Sequence, residues 1–281
     1  MAVFVKPAGN SKDGYMPMEE KTADLSGKRA FDFYYQNLYG KRWETLRQSL
    51  LEASVPAPYN EGLKAPYFLD PASVLAALSL RLPGEGTLLD ACAAPGGKSL
   101  IIASVMGPGL TLLANELSQK RRGRLLRVLD AHLDPEKRKQ VRVSGFDAAA
   151  LGGKKGEQGR FGGILLDAPC SSERHVIQNE GLLSQWKAAR PRFLARRQWA
   201  LLSGAFLLLR PGASLVYATC ALSEEENDGV ASRLLQKYGG AACLDPPYFP
   251  EGEKTACGRL ILPDRCGGTG PMYVARFRKA P

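Results

Sequence analysis

The sequence predicts an α/β fold: a doubly wound, mostly parallel sheet that closes in a C-terminal antiparallel hairpin and carries a small helical N-terminal extension. Three observations predict it. Short apolar runs alternate with helical patterns from residue 87 onward, and strands separated by helices pair in parallel through right-handed crossovers. The first run leads straight into a Gly-rich turn, Pro95-Gly96-Gly97, where a sheet of this kind binds ligands. Two apolar segments at the end of the chain, 260–262 and 272–278, read as a hairpin.

Taken in order, residues 1–26 are polar, rich in Gly, Pro and Lys and without helical or strand period, and are expected to form an extended or disordered arm. A helical extension is expected over 27–65. There Phe31, Tyr34, Tyr35, Leu38, Trp43, Leu46 and Leu50 recur at helical spacing, which suggests two short amphipathic helices broken near Gly40. After Pro56, Pro58 and Pro66, a helix is expected over 71–80, with Asp70 as its cap and Pro71 in its first position. Strands are expected at 87–94, 111–116, 141–147, 161–170 and 214–220. Helices are expected at 98–106, 118–133, 182–209 and 224–238.

The 281 residues could form one large domain or two modest ones, and suffice to bury a sizeable core. Apolar residues make up 44% and charged residues 23%, and no apolar run approaches the roughly 18 to 20 residues that would span a bilayer, so a soluble globular protein is expected. Thirty-eight Lys and Arg against 28 Asp and Glu give a net charge of +10, which attracts polyanions, nucleic acid first among them. Six cysteines are too sparse for a disulfide scaffold. The first ten residues lack a signal-peptide pattern, and Asp13, Glu19, Glu20 and Asp24 speak against a transit peptide. A reducing, cytoplasmic setting is expected. Cys243, Cys257 and Cys266 lack paired zinc-ligand spacing, and no metal is expected.

The residues that can carry chemistry sit at predicted strand ends. Asp90 leads into Cys92-Ala93-Ala94-Pro95-Gly96-Gly97-Lys98, where small residues allow close backbone approach and a helix amino terminus offers N–H groups. It is not a Walker loop, because the first glycine of that pattern falls on Cys92. Glu116 follows about twenty residues on, where a dinucleotide fold presents an acid to ribose hydroxyls. Asp147 closes the third strand and can accept from an adenine amino group, or simply cap the next helix. Asp167 and Cys170 close the fourth strand and Cys220 the fifth. A lone free cysteine is commonly an inert core residue, but two at adjacent strand ends beside Lys98 and Asp167 point to a reactive site.

CAAPGGK (92–98), DAPCSS (167–172) and YATCALSEEEN (217–227) resemble the motifs of the Sun family of RNA cytosine-5 methyltransferases, over roughly residues 66–281. The resemblance implies a Rossmann-like class I methyltransferase domain. It also implies S-adenosyl-L-methionine held by residues 92–98, Glu116, Arg121, Asp147 and Asp167. Carbon 5 of cytosine is too weak a nucleophile until something adds to carbon 6, and a thiolate is the strongest side-chain nucleophile for that addition. The family places the attack on the TC cysteine, here Cys220, and product release on the PC cysteine, here Cys170. Asp167 is then expected to hydrogen-bond the N3/N4 edge of the base, and Lys98 to favour the thiolate or orient the base.

The chain departs from the pattern Ser-Gly-x-Gly after the PC cysteine, carrying Ser171-Ser172-Glu173-Arg174-His175 instead. With FDFYYQNLYGKRW and GPMY (270–273), this resembles the compact subgroup without a PUA domain that includes the organellar rRNA and tRNA enzymes. RNA contacts are expected from residues 120–127, 187–197 and Lys154-Lys155. The expected substrate is rRNA ahead of tRNA, and the expected state is a monomer, with an accessory protein possible. A catalytically silent RNA-binding assembly factor and a methyltransferase for DNA or a small molecule are the alternatives, separable by methyl transfer to RNA and to DNA.

Overall fold

A computed structural model describes residues 26–247 and 249–281. The expected arm at 1–26 lies outside the described residues apart from Ser26. The chain enters through helices α1 (Gly27–Tyr39) and α2 (Trp43–Leu51), with a 3-10 turn at Gly40–Arg42 between them. Strands β1 (Ala57–Tyr59) and β2 (Tyr67–Leu69) pair with each other, and α3 (Pro71–Leu78) follows. Asp70 caps α3 by accepting from the Ala72 N–H, with Pro71 in the first turn where its missing donor costs nothing.

The alternating region then runs β3 (Gly86–Asp90), α4 (Gly97–Val105), β4 (Leu110–Asn115), α5 (Gln119–His132), α6 (Pro135–Lys139), β5 (Val141–Ser144), α7 (Ala148–Gly152) and β6 (Phe161–Asp167). Next come α8 (Glu173–Ile177), α9 (Glu180–Ser184), α10 (Ala189–Leu208), β7 (Leu209–Thr219) and α11 (Asp228–Tyr238). Strands β8 (Ala242–Leu244), β9 (Glu253–Lys254), β10 (Gly258–Ile261) and β11 (Met272–Lys279) complete it.

The order along the sheet is β5-β4-β3-β6-β7-β11-β10-β9, with β8 also on β11. The first five are parallel, and β11 and β10 turn antiparallel as the expected hairpin. The chain steps outward from β3 to β5 and returns to β6 on the other side of β3. That reversal opens a crevice at the carboxyl ends of β3 and β6, where an open α/β sheet binds its ligands.

Alternation of side chains along the strands builds a core on each face. Leu88, Leu112, Leu165, Val216 and Val274 pack on one side with α3, α4 and α5; Leu89, Leu166, Leu215, Tyr217 and Tyr273 pack on the other with α10 and α11. A third cluster joins α1 and α2 to the segments that follow β6 and β7: Phe31, Tyr35, Trp43 and Leu50 meet Val176, Trp186 and Leu222. The Phe31 and Trp186 rings stand 5.3 Å apart, edge to face, a geometry worth about 0.5–1.5 kcal/mol beyond the area it buries. The N-terminal helices thus brace the loops that carry the two cysteines.

Tertiary packing reshaped three elements. The helix expected over 182–209 is two, α9 and α10, because the chain breaks to bury Trp186 in that third cluster. Leu209 already belongs to β7, where it pairs with Phe161 ahead of a register shift. The third strand stops at Ser144, so Asp147 stands in the following loop as the cap of α7. Among the described residues, no helix is long and apolar enough to cross a membrane.

Candidate active site

The site begins where β3 ends. Asp90 is buried and accepts from Ser99 Oγ at 2.6 Å through one oxygen, while its Oδ1 has no partner among the described residues. Burial pushes its carboxyl up to about 7, helped by the charge of Asp167 and opposed by Ser99 and Lys98. Residues 92–98 turn the chain from β3 into α4, with the Ala93 N–H donating to the Asn115 carbonyl at 2.8 Å. Gly97 is required by close approach: a Cβ there would stand 2.8 Å from the Tyr67 ring.

Three cavities meet along this rim. The first, about 100 Å³, is lined by Tyr67, Ser73, Asp90, Cys92, Lys98 and Asp167 among others. The second, about 280 Å³, lies beyond Cys92 and is lined by Asn115, Glu116, Arg121, Asp147, Pro169 and Arg197 among others. The third, about 350 Å³, shares Ser73 with the first and is lined by Asp70, Ser172, Arg174, His175, Cys220 and Met272 among others. Every residue expected to hold a cofactor except Gly96 lines one of the first two, whereas Cys220 opens on the third.

The acids of the second cavity retain accepting capacity. Glu116 takes the Ser118 N–H on Oε1 at 2.9 Å. Its Oε2 is buried without a hydrogen bond, only Arg121 Nη1 standing near it at 3.1 Å. Arg121 also donates to the Ala94 carbonyl at 2.7 Å, fastening the Gly-rich turn to the acid. Asp147 accepts from the Ala149 N–H at 3.0 Å, so it both caps α7 and faces the cavity. Burial, with Asp90, Asp167 and Glu116 around it, raises the Cys92 thiol above its ordinary range, which holds it protonated and inert.

At the ends of β6 and β7, Cys170 Sγ and Cys220 Sγ lie 2.9 Å apart, both cysteines free and half-buried. The Cys220 N–H points to Cys170 Sγ at 3.2 Å, and Ser172 Oγ approaches Cys220 Sγ at 3.2 Å. The hydrogen bond to Cys220, then burial, raises the Cys170 thiol well above its ordinary value. Cys170 therefore keeps its proton and can share it with Cys220. Lys98 Nζ donates to Asp167 Oδ2 at 2.7 Å, with Asp167 31% and Lys98 12% exposed. Burial pulls the Lys98 ammonium down, but Asp167 and Cys220 outweigh it and leave it raised, so a cation is held beside the cysteines.

Beneath the cysteines lies a polar network that the sequence did not announce. Glu173 and Glu226 are fully buried, with Ser171 between them. Ser171 Oγ bridges the two carboxyl groups, its single proton going to one while its oxygen accepts from the protonated other; the Ser171 N–H reaches Glu226 at 3.0 Å, and Gln198 reaches it at 2.8 Å. Tyr35 of α1 donates to Glu173, which also takes the Leu222 N–H at 3.0 Å. Glu226 belongs to an acidic run that reads as the start of an exposed helix; only its reach across the fold to Ser171 marks it as structural.

Burial, reinforced by the charge of Glu173, pushes the Glu226 carboxyl up to about 8 from an ordinary 4.5. The folded chain therefore binds a proton that the unfolded chain releases. Stability is fully present below the unfolded value and is lost as pH rises through the folded one. Asp90 acts with the same sign over the lower part of that window. Urea unfolding should show stability falling between about pH 5 and 8, by at most about 1.4 kcal/mol per pH unit for each group. Glu226→Gln should flatten the slope, and a wild-type profile that is level across this window would contradict the assignment.

The basic segments expected to touch RNA are exposed: Lys120, Arg124 and Arg127 on α5, Lys154 and Lys155 before β6, and Arg190 and Arg196 on α10 beside an exposed Phe193. Tyr67 and Ser73, which wall the first cavity, come from outside the strand–helix alternation and carried no signal in the sequence. No group of three or more His, Cys, Asp or Glu among the described residues could hold a metal.

Residues 77–278 match the family model described as 16S rRNA methyltransferase RsmB/F. The chain belongs to this family. A ribosomal RNA small subunit methyltransferase F of Aeromonas salmonicida is 40% identical over 200 residues, which cover 69% of this chain and 40% of that protein. A mitochondrial tRNA (cytosine(34)-C(5))-methyltransferase of Danio rerio is 34% identical over 229 residues, 77% of this chain and 61% of the relative. The crystal structure of NSun6 from Pyrococcus horikoshii with SFG superposes with a TM-score of 0.65 at 26% identity, over 79% of this chain and 54% of that one. The chain thus spans 40% to 61% of the length of these two curated relatives. Its sheet is the Rossmann-like methyltransferase sheet expected from the motifs, and the resemblance to the Sun family holds.

Proposed function

We propose that this RsmB/F-family chain methylates carbon 5 of cytosine in RNA, using S-adenosylmethionine and a covalent bond from Cys220 Sγ to cytosine carbon 6. The observation that carries the reading is the pair of sulfurs 2.9 Å apart at neighbouring strand ends, with the Lys98–Asp167 pair beside them. Asp90 Oδ1 and Glu116 Oε2, buried and accepting no hydrogen bond, with only the Arg121 ion pair on the latter, suit the hydroxyl and ammonium donors of the cofactor, and an analogue of that cofactor accompanies the NSun6 homologue. Residues 92–98, Glu116, Arg121, Asp147 and Asp167 would hold it, with Asp90 added from the cavity lining. When bound, S-adenosylmethionine supplies a methyl group activated by its sulfonium.

Cys220, as thiolate beside the Lys98 ammonium, adds to carbon 6 and pushes the electron pair of the 5,6 double bond toward carbon 5 and the N3/N4 edge. Asp167 accepts from the N4 amino group and orients the base, and the Lys98 ammonium paired to it supplies the positive charge opposite the developing negative one. With the cofactor held there, carbon 5 would take the methyl as the methyl–sulfonium bond breaks and its electron pair stays on the sulfur of the departing thioether. Loss of the carbon 5 proton to solvent restores the double bond and expels Cys220 as thiolate. Cys170, held protonated, donates to the departing sulfur and eases its release.

Ribosomal RNA is the first substrate class, following the Aeromonas relative; the Danio rerio relative supports tRNA as the second. The same reading takes 66–281 as the catalytic domain, with 27–65 as its extension, acting as a cytoplasmic monomer to which an accessory protein can deliver RNA. Labelled S-adenosylmethionine should transfer its methyl to bulk rRNA or tRNA from cells lacking this protein, and not to DNA. Cofactor binding without any transfer would favour a silent RNA-binding factor. Cys170→Ala should leave a protein–RNA adduct that persists on a denaturing gel, and clean turnover by that variant would remove Cys170 from the reaction.

A further inference from the structure

The cavity in front of Cys220 contains a cation with donors to spare. Arg174 lines it with Cys220, His175 and Met272. Its Nη2 donates to the Ser49 carbonyl at 3.0 Å, which fastens the head group to the last turn of α2. Its Nε and Nη1 are closed off from bulk water and have no hydrogen-bond partner among the described residues. Asp70 and Glu52 attract the guanidinium only through space, and the two Asp70 oxygens are already taken by the Ala72 and Gly270 N–H groups, at 2.8 and 3.0 Å.

A guanidinium cannot shed its charge near neutral pH, and a buried N–H without an acceptor is destabilising. Arginine is retained in such a place when the acceptor arrives with a ligand. Asp167, which faces the polar edge of the base in the reaction above, lines the first cavity and not this one. Of the acceptors left on a cytidine nucleotide, the base O2 carbonyl, the ribose oxygens and the phosphate, the phosphate is the one that a guanidinium binds most strongly.

We infer that Arg174 binds a phosphate of the target cytidine and so seats the ring over Cys220. It is a positioning residue, and the inference rests on the reading that cytidine enters this cavity. The departure from Ser-Gly-x-Gly after Cys170 then has a purpose: Glu173 fastens the loop from below, and the next residue reaches the nucleotide.

The test uses free nucleotides, so it does not depend on knowing the RNA. With S-adenosylhomocysteine present, iodoacetamide labelling of Cys220 is followed by peptide mass spectrometry while cytidine, cytidine 5′-monophosphate or cytidine 3′-monophosphate is titrated. One of the monophosphates should protect Cys220 at roughly tenfold lower concentration than cytidine, the factor that about 1.4 kcal/mol gives. Arg174→Gln should abolish that advantage while leaving protection by cytidine, and Arg174→Lys should keep part of it. Binding of S-adenosylhomocysteine shows that each variant is folded; should the glutamine variant fail this check, the lysine variant carries the comparison. Monophosphates no better than cytidine in the wild type, or an advantage undiminished by substitution, would overturn the inference. A phosphate advantage without RNA methylation would fault the proposed reaction and leave Arg174 standing. Unchanged KM for RNA in an active Arg174→Gln enzyme would do the reverse.

Discussion

Cys220→Ala is expected to abolish methyl transfer, with turnover falling on the order of 10⁴-fold or more, because the neighbouring thiol, Cys170, is held protonated and does not line the third cavity. The cofactor should still bind: Cys220 lines the third cavity and neither of the first two, which hold the adenosine-type acids and the Gly-rich turn. Calorimetry with S-adenosylhomocysteine would therefore return a wild-type affinity beside a lost rate, and the Cys170→Ala,Cys220→Ala double variant should form no adduct with RNA. Cys220→Ser should be nearly as inactive, since a hydroxyl in this setting has no strong base within reach to ionise it. Near wild-type methylation by either single Cys220 variant would remove the covalent mechanism, whatever became of the rest of the proposal.

Glu173→Ala is expected to cost about 2–6 kcal/mol of stability, because it leaves two buried donors without an acceptor at about 1–3 kcal/mol each. The carboxylate is wholly buried and takes hydrogen bonds from Tyr35, Ser171 and the Leu222 N–H. Its deletion strands the Tyr35 hydroxyl and the Leu222 N–H, while Ser171 keeps Glu226. The three residues sit on α1, on the loop carrying Cys170 and two residues beyond Cys220, so the loss should also loosen the cysteines relative to each other. Urea unfolding gives the first effect, and slower adduct formation in a Cys170→Ala background gives the second. Glu173→Gln keeps an acceptor for Ser171 and should cost clearly less. A loss below about 1 kcal/mol in the alanine variant would mean that water replaces the carboxylate, and the network would not be what fixes the loops.

Both experiments probe features of different legibility. Cys220 and Cys170 were readable from the chain because they stand at strand ends, and strand ends follow from apolar runs of fixed period. The same holds for Asp90 and for the turn at 95–97. Asp147 was expected to close the third strand, with a helix cap as the alternative reading; it lies past the end of β5, caps α7 and lines the second cavity. Glu173 and Glu226 were unreadable, since an acid looks identical in sequence whether it meets water or Ser171. Trp186 likewise broke a helix that periodicity alone would have continued.

Local pattern therefore established the alternating strands and helices, the hairpin at the end and the rim on which the reactive groups gather, because backbone periodicity and turn chemistry act over a few neighbouring residues. Folding alone decided that Tyr35 of α1 lies against Glu173, that Glu226 reaches Ser171, and that Arg174 lines the third cavity and keeps two donors unpaired. These are meetings between residues distant along the chain. Their energies arise from burial, which no segment experiences until the others have packed around it.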